Sequence, residues 1–181
     1  TYSECFMPLA YGGGIRNFDD AAKVFEIGVE KIVIQSSIFE NKTIISEVSK
    51  KFGNQSIAAS IDVITDAEGR YHIFHAAQKK IVSKNLLEVI REVQEQGVGE
   101  IVLTSVDREQ TFLGYDISLL DFILPHCHVP LIFNGGASNY QDLQTLLSKN
   151  VSAGAGSLFV FYGKKNGVLF NYPDQIEEVS I

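Results

Sequence analysis

Short apolar runs alternate along the chain with longer stretches in which apolar positions recur three and four residues apart, and this alternation predicts strands and helices in turn. The short runs predict strands at 6–11, 31–35, 56–62, 100–104, 130–134 and 152–156. The longer stretches predict helices at roughly 18–28, 41–51, 84–97, 116–124 and 139–149. Asn17 and Asp116 stand where N-caps belong, and Gly28 and Gly97 where helices stop. The runs "KIVIQ" and "EIVLT" are continuous rather than alternating, which predicts strands buried on both faces of a parallel sheet. Val63–Ile64 and Tyr71–Phe74 flank the turn Asp66-Ala-Glu-Gly69 and predict a hairpin inserted after the third strand.

Six βα units fit either a doubly wound open sheet or a (β/α) barrel. The first turn lacks the G-x-G-x-x-G spacing of dinucleotide-binding folds. An internal repeat favours the barrel. The stretch "MPLAYGGGIRNF" lies against "VPLIFNGGASNY", matching Pro8 to Pro130, Gly13 to Gly135, Gly14 to Gly136 and Asn17 to Asn139. Val29 then matches Val151, and "QSSIF" falls on "GSLF" after a short gap. An offset of about 122 residues spanning four units describes half of an eight-unit barrel, whose usual length is about 250 residues. The expectation is a single (β/α)8 TIM-barrel domain over 1–181, with this chain supplying the third to eighth strands and the first two βα units lacking. Six strands alone would leave two sheet edges open.

Barrel sites lie at the carboxyl ends of strands. Both glycine loops fall there, as do Gln35-Ser36 and Gly156-Ser157. Glycine lets backbone N–H groups approach a ligand, and the start of the following helix offers further donors, so each loop suits a phosphate. The alternative at either loop is a tight turn with no ligand. Two matched loops predict two anion sites across one barrel mouth, fitted to a substrate with a phosphate at each end.

Composition narrows the classes. Hydrophobic residues make up 45% and charged residues 20%, an ordinary balance for a globular protein. A net charge of -7 without a basic stripe argues against nucleic acid. No apolar run approaches the length of a membrane span, and no export signal is evident. Two cysteines, Cys5 and Cys127, make no disulfide framework, and the default location is the cytoplasm.

The combination "GGGIR", "QSSIF", "SIDV", "EIVLTSVDREQTFLGYD", "NGGA" and "AGSLFVF", in this order over nearly the whole chain, resembles HisF, the cyclase subunit of imidazole glycerol phosphate synthase. Thr104-Ser105-Val106-Asp107 follows the cyclase form rather than the Thr-Asp usual in its sister isomerase. The resemblance implies a lyase-type subunit that receives ammonia from a partner glutaminase (HisH-like) and cleaves a bisphosphorylated ribonucleotide. It implies acid–base chemistry at Asp62, with Thr104 facing the substrate. It assigns one phosphate to Gly13, Gly14, Gln35 and Ser36, and the other to Gly135, Gly136, Gly156 and Ser157. It calls for no cofactor and no metal. The family's second aspartate belongs to the first strand of the full barrel, which this chain lacks.

Departures point to a branch of the family. Asp107-Arg-Glu-Gln-Thr111 stands where the cyclase usually has Asp-Arg-Asp-Gly-Thr, Asn134 where Ser is usual, and Gln35 where Asn is usual. The tail "AGSLFVFYGKKNGVLFNYP" resembles the glycosyl-amidation paralogues called WbuZ, which implies ammonia delivery for sugar amidation in surface-polysaccharide synthesis. The histidine-pathway cyclase is the alternative, and a non-catalytic barrel that only conducts ammonia is a second. His126-Cys127-His128 precedes a strand, on the face away from the site, and is not read as a metal cluster. His72 and His75 alternate with Tyr71 and Phe74, which predicts an ordinary two-faced ribbon. Phe159, Phe161, Phe170 and Tyr172 are expected to cover the open end of the barrel, and Lys164-Lys165 to form a solvated turn.

Overall fold

A computed structural model describes residues 8–162 and 167–168. Six strands form one parallel path: β1 (Ala10–Gly12), β2 (Lys31–Ile34), β3 (Ile57–Thr65), then β6 (Glu100–Ser105), β7 (Leu131–Asn134) and β8 (Ser152–Gly154). β4 (Tyr71–His75) pairs antiparallel with β3, and β5 (Lys80–Ile81) with β4. The helices between are α1 (Phe18–Glu26), α2 (Ser37–Glu40), α3 (Ile44–Phe52), α4 (Leu86–Glu95), α5 (Ile117–Ile123), α6 (Tyr140–Leu147) and α7 (Ser157–Val160). A short ribbon, β9 (Phe161–Tyr162) with β10 (Gly167–Val168), follows. The parallel path curls into part of a (β/α)8 TIM barrel, as the internal repeat predicted.

Capping explains where the helices begin. Asn17, Asn85, Asp116 and Asn139 are extended or non-helical residues whose side chains accept from N–H groups of the first turn. Gly28 and Gly97, at positive φ, follow α1 and α4 as expected. The helix expected over 41–51 stands as α3, beginning three residues later at Ile44, and the short α2 before it, ended by the extended Asn41, was not expected. The hairpin needs no separate strand at 63–64. β3 runs on to Thr65 and pairs Val63 with Ile73. Its turn is fastened by Asp66, whose carboxylate accepts from the N–H groups of Glu68 and Arg70 and meets His72 Nε2 at 2.7 Å. Thr65 N–H donates to Asp107, tying the hairpin to the loop after β6.

The strands are two-faced rather than buried throughout. Ile32, Ile34, Ala59, Ile61, Ile101, Leu103, Leu131 and Phe133 are all but inaccessible against Ile44, Val48, Val89, Ile90, Leu119 and Leu120 of the helices. Their neighbours Val33, Ser60, Asp62, Val102, Ile132 and Asn134, on the lumen side, stay partly open. The continuous apolar runs therefore reflect one face under helices and one facing the lumen. Among the described residues no helix is long and apolar enough to cross a membrane. The strand start expected at Phe6, together with Cys5, Lys164, Lys165, Phe170 and Tyr172, lies outside the described residues.

Among the described residues β1 and β8 each have one strand partner, and Tyr11 within β1 and Leu9 just before it are 45% and 41% exposed. Open edges of this kind template pairing with another chain. The 181-residue chain on its own is expected to self-associate in sedimentation velocity over micromolar concentrations; a single monomeric boundary at every concentration would refute this.

Candidate functional site

Parallel pairing sets four strand ends level. Asp62 pairs with Thr104, Thr104 with Asn134, and Asn134 with Gly154, so all four share the lumen face. Thr104 is buried, with 9% exposure. Asn134 Nδ2 donates to Thr104 Oγ1 at 3.4 Å and to Glu109 Oε1 at 3.2 Å. Burial pushes the Asp62 carboxyl above its ordinary range; a hydrogen bond from the Gln35 side chain pulls it back, and the Glu109 charge adds to the rise. Two carboxylates thus face one mouth. Glu109 was not among the residues expected to act, although "DREQT" keeps a carboxylate at its third place.

Each glycine group comes together with its expected partners. A cavity of about 290 Å³ is lined by Gly13, Gly14, Gln35 and Ser36. A second, of about 350 Å³, is lined by Gly135, Gly136, Gly156 and Ser157. Asp62 and Thr104 line neither and stand between them in strand order. Gln35, on the first cavity, acts on the Asp62 carboxyl, and Asn134, on the second, donates to Thr104.

The repeat holds down to dihedral angles. Gly13 and Gly135 have φ of 106° and 103°, and Gly14 and Gly136 have 74° and 99°, a region that favours glycine. Asn17 and Asn139 are extended and cap α1 and α6 alike, and α2 and α7 are both four-residue helices starting at Ser37 and Ser157. The donors available differ from the expectation in one respect. The starts of α1 and α6 are closed by their own side chains: Asp20 accepts from Arg16 N–H, while Asp142 accepts from the N–H groups of Ser138 and Asn139. What remains for a ligand includes the glycine backbone itself, since Gly13, Gly14, Gly135 and Gly136 have no backbone acceptor among the described residues, together with Arg16 and Gln35 on the wall of the first cavity and Ser157 on that of the second.

The two loops are glycine-rich for different reasons. A Cβ on Gly13 or Gly14 would meet nothing within 4 Å, so their dihedral angles and the open cavity decide. A Cβ on Gly135 would lie 2.4 Å from Ser105 O, and one on Gly136 2.3 Å from Gly114 O. Tyr115 reinforces this second corner by donating its hydroxyl to Gly154 O at 2.9 Å; burial pushes that phenol up to about 12. Gln110, where the resemblance leads one to expect glycine, holds a left-handed φ of 61° on the wall of the second cavity.

Elsewhere, among the described residues, no three His, Cys, Asp or Glu side chains converge as a metal site. Cys127 is half-buried, which pushes its thiol up to about 11. Around it Gln94 bridges the backbone, donating to His126 O and accepting from His128 N–H. Phe159 lies 6.4 Å from the Tyr140 ring. β4 alternates as the two-faced ribbon expected, with Ile73 and His75 on its buried face; His75 is 5% exposed and lines the first cavity.

Comparison with known proteins agrees with this architecture. The family model described as histidine biosynthesis protein matches residues 1–165. A Pseudomonas aeruginosa protein provisionally named imidazole glycerol phosphate synthase subunit hisF2 is 42% identical over 94% of this chain and 69% of its own length. A Leptospira borgpetersenii protein, provisionally named as the HisF subunit of the same synthase, is 37% identical over 99% of this chain and 72% of its own. The Streptococcus mutans imidazole glycerol phosphate synthase subunit HisF is 32% identical over 88% of this chain and 63% of its own.

Two substitutions test the loop geometry by thermal and urea unfolding. Gly135→Ala combines a clash with backbone strand chemistry and a positive φ, and is expected to destabilise by about 2–4 kcal/mol. Gln110→Gly relieves a left-handed residue and is expected to stabilise by about 0.5–1 kcal/mol.

Proposed function

This chain belongs to the histidine biosynthesis protein family, as a HisF-like member, and from that premise we propose that it is the synthase subunit of a glutamine-dependent amidotransferase. It takes ammonia from a HisH-like glutaminase and supplies the third to eighth βα units of the barrel that receives it. The observation that carries this reading is the level row Asp62–Thr104–Asn134, flanked by two cavities built from one repeated glycine loop. A substrate anchored at both ends by phosphate would lie with its reacting centre over that row. Asp62 is then placed to give or take a proton as ammonia adds, and Thr104 and Asn134 hold the substrate's polar groups.

Within the family we assign the chain to the glycosyl-amidation branch, with a sugar as the final acceptor. Gln110 favours this: its side chain stands on the second cavity's wall where a cyclase loop has glycine. The second reading is the histidine-pathway cyclase, favoured by the Asp62–Thr104 pair and by the names of the relatives. Calorimetric titration with the bisphosphorylated cyclase substrate, followed by ammonia-dependent turnover, separates the two. Tight binding with turnover selects the cyclase. No binding by folded protein selects the sugar branch, whose glutaminase and amidotransferase partners a pull-down would then recover.

If either activity uses Asp62 as a base, its carboxylate forms only above the ordinary value of 3.8, because burial raises it. Rate is then lost as pH falls through that raised value. Asp62→Asn is expected to remove this acidic limb and lower ammonia-dependent turnover by about 10²–10⁴. Unchanged turnover in the variant would exclude the role.

A further inference from the structure

Gln35 stands one residue beyond β2, and the register that pairs Ile34 with Ala59 sets it level with Ser60, two residues short of Asp62 along β3. Val33, Ser60 and Asp62 share the lumen side, and alternation puts Gln35 there with them. A long side chain at that place spans the gap to the next residue on the same face. Its amide is hydrogen-bonded to the Asp62 carboxyl, and the same residue lines the first glycine-loop cavity, which Asp62 does not. Among the described residues lining that cavity, Gln35 is the one bonded to Asp62.

A carboxylate only accepts, so the bond runs from the Gln35 Nε2–H and favours the charged form of Asp62. An amide nitrogen carries two N–H groups. An anion on the Gly13–Gly14 loop either draws this amide away from Asp62 or shares it. Drawn away, the amide no longer favours the Asp62 charge. Shared, it holds two acceptors about 2.9 Å from one nitrogen and so about 5 Å from each other, where like charges oppose ionisation. Both routes act in the same direction. We propose that Gln35 links binding to chemistry, so that filling the first cavity makes Asp62 the stronger base. The carboxyl then stands nearer the range in which one group both takes and gives a proton. This deepens the reading above and rests on its assignment of a phosphate to that loop. Gln35 is a positioning residue here; the acid–base step stays with Asp62. By linkage, the anion binds more tightly as pH falls through the Asp62 midpoint. Other ionisable groups stand nearby: Glu109 acts on Asp62 from the loop after β6, while Arg16, Glu40 and His75 line the cavity from the loop before α1, from α2 and from β4. Proton uptake at any of them would move the overall affinity, so the proton is best followed at Asp62 itself.

The test is carboxyl-carbon NMR of the full chain across pH, without and with sulfate, which keeps its charge where carboxyl groups titrate. Loss of one signal in Asp62→Asn identifies the Asp62 carboxyl, and the Gly13 and Gly14 N–H signals report occupancy of the first cavity. In the unmodified protein sulfate is expected to raise the Asp62 midpoint by about one pH unit. Gln35→Asn keeps an amide on the cavity wall but one methylene short of Asp62; it should bind sulfate within about twofold and lose most of that rise. Gln35→Leu has no donor, and its Asp62 midpoint should stand raised before sulfate is added. The inference is overturned if Gln35→Asn keeps the full rise, which would mean that the anion acts on Asp62 through space alone. It is equally overturned if both variants lose sulfate binding along with the rise, the mark of a wall residue only. Sulfate bound at the glycines with no rise in the unmodified protein overturns this inference alone. No binding at those glycines overturns it together with the phosphate assignment.

Discussion

The parallel register across β3, β6, β7 and β8 is the constraint on which the rest of the molecule depends. Side chains alternate faces along a strand, so a one-residue slip of β3 would send Asp62 under the helices and bring Ile61 or Val63 into the lumen. The slip is opposed by burial. Ile61 and Val63 are fully enclosed, as are Leu103 and Phe133 on the neighbouring strands, and each would exchange an apolar contact for an open face. The position of the carboxylate is thus set from behind, by the packing of residues that never meet a ligand.

Much of this architecture was legible because the signals were local. The N-caps, the glycine stops and the alternation of apolar runs each depend on a few neighbouring residues, and the structure places α1, α4, α5 and α6 where those signals stood. The repeat was legible because it is written in residue identity, and it survives in dihedral angles. Less local features were misread. The unbroken run "KIVIQ" suggested burial on both faces, but apolar character alone does not distinguish a helix-covered face from a lumen. The four-residue α2 was not foreseen, because it is too short to set up an apolar period.

The site shows the same division. Sequence spacing brought the two glycine groups to their cavities because each lies at the end of a strand whose place in the barrel was known. Glu109 was quoted as part of a loop without a role, since only the fold brings it to Asn134 and the electrostatic field of Asp62. His75 was expected on a two-faced ribbon, and the fold decides which face is covered: β4 is held to the barrel rim by the extension of β3 and by the Thr65–Asp107 bond, which leaves His75 on the buried face.

The self-capped helix starts at Asn17 and Asn139 carry a further meaning. A loop that relied on its ligand to satisfy the first turn would be loose when empty, and each binding event would have to order it. Here Asp20 and Asp142 fold back on the backbone ahead of their helices, so the glycine turns are already held in shape by the protein's own groups. An arriving anion loses little affinity to ordering the chain and meets a pre-organised backbone. Negative charge placed in the first turn of each helix also weakens the pull of the helix dipole on the cavity, so recognition leans on the N–H geometry of the glycines and, in the first cavity, on the charge of Arg16. The two halves of the repeat would then differ in their response to salt, the first feeling it more than the second.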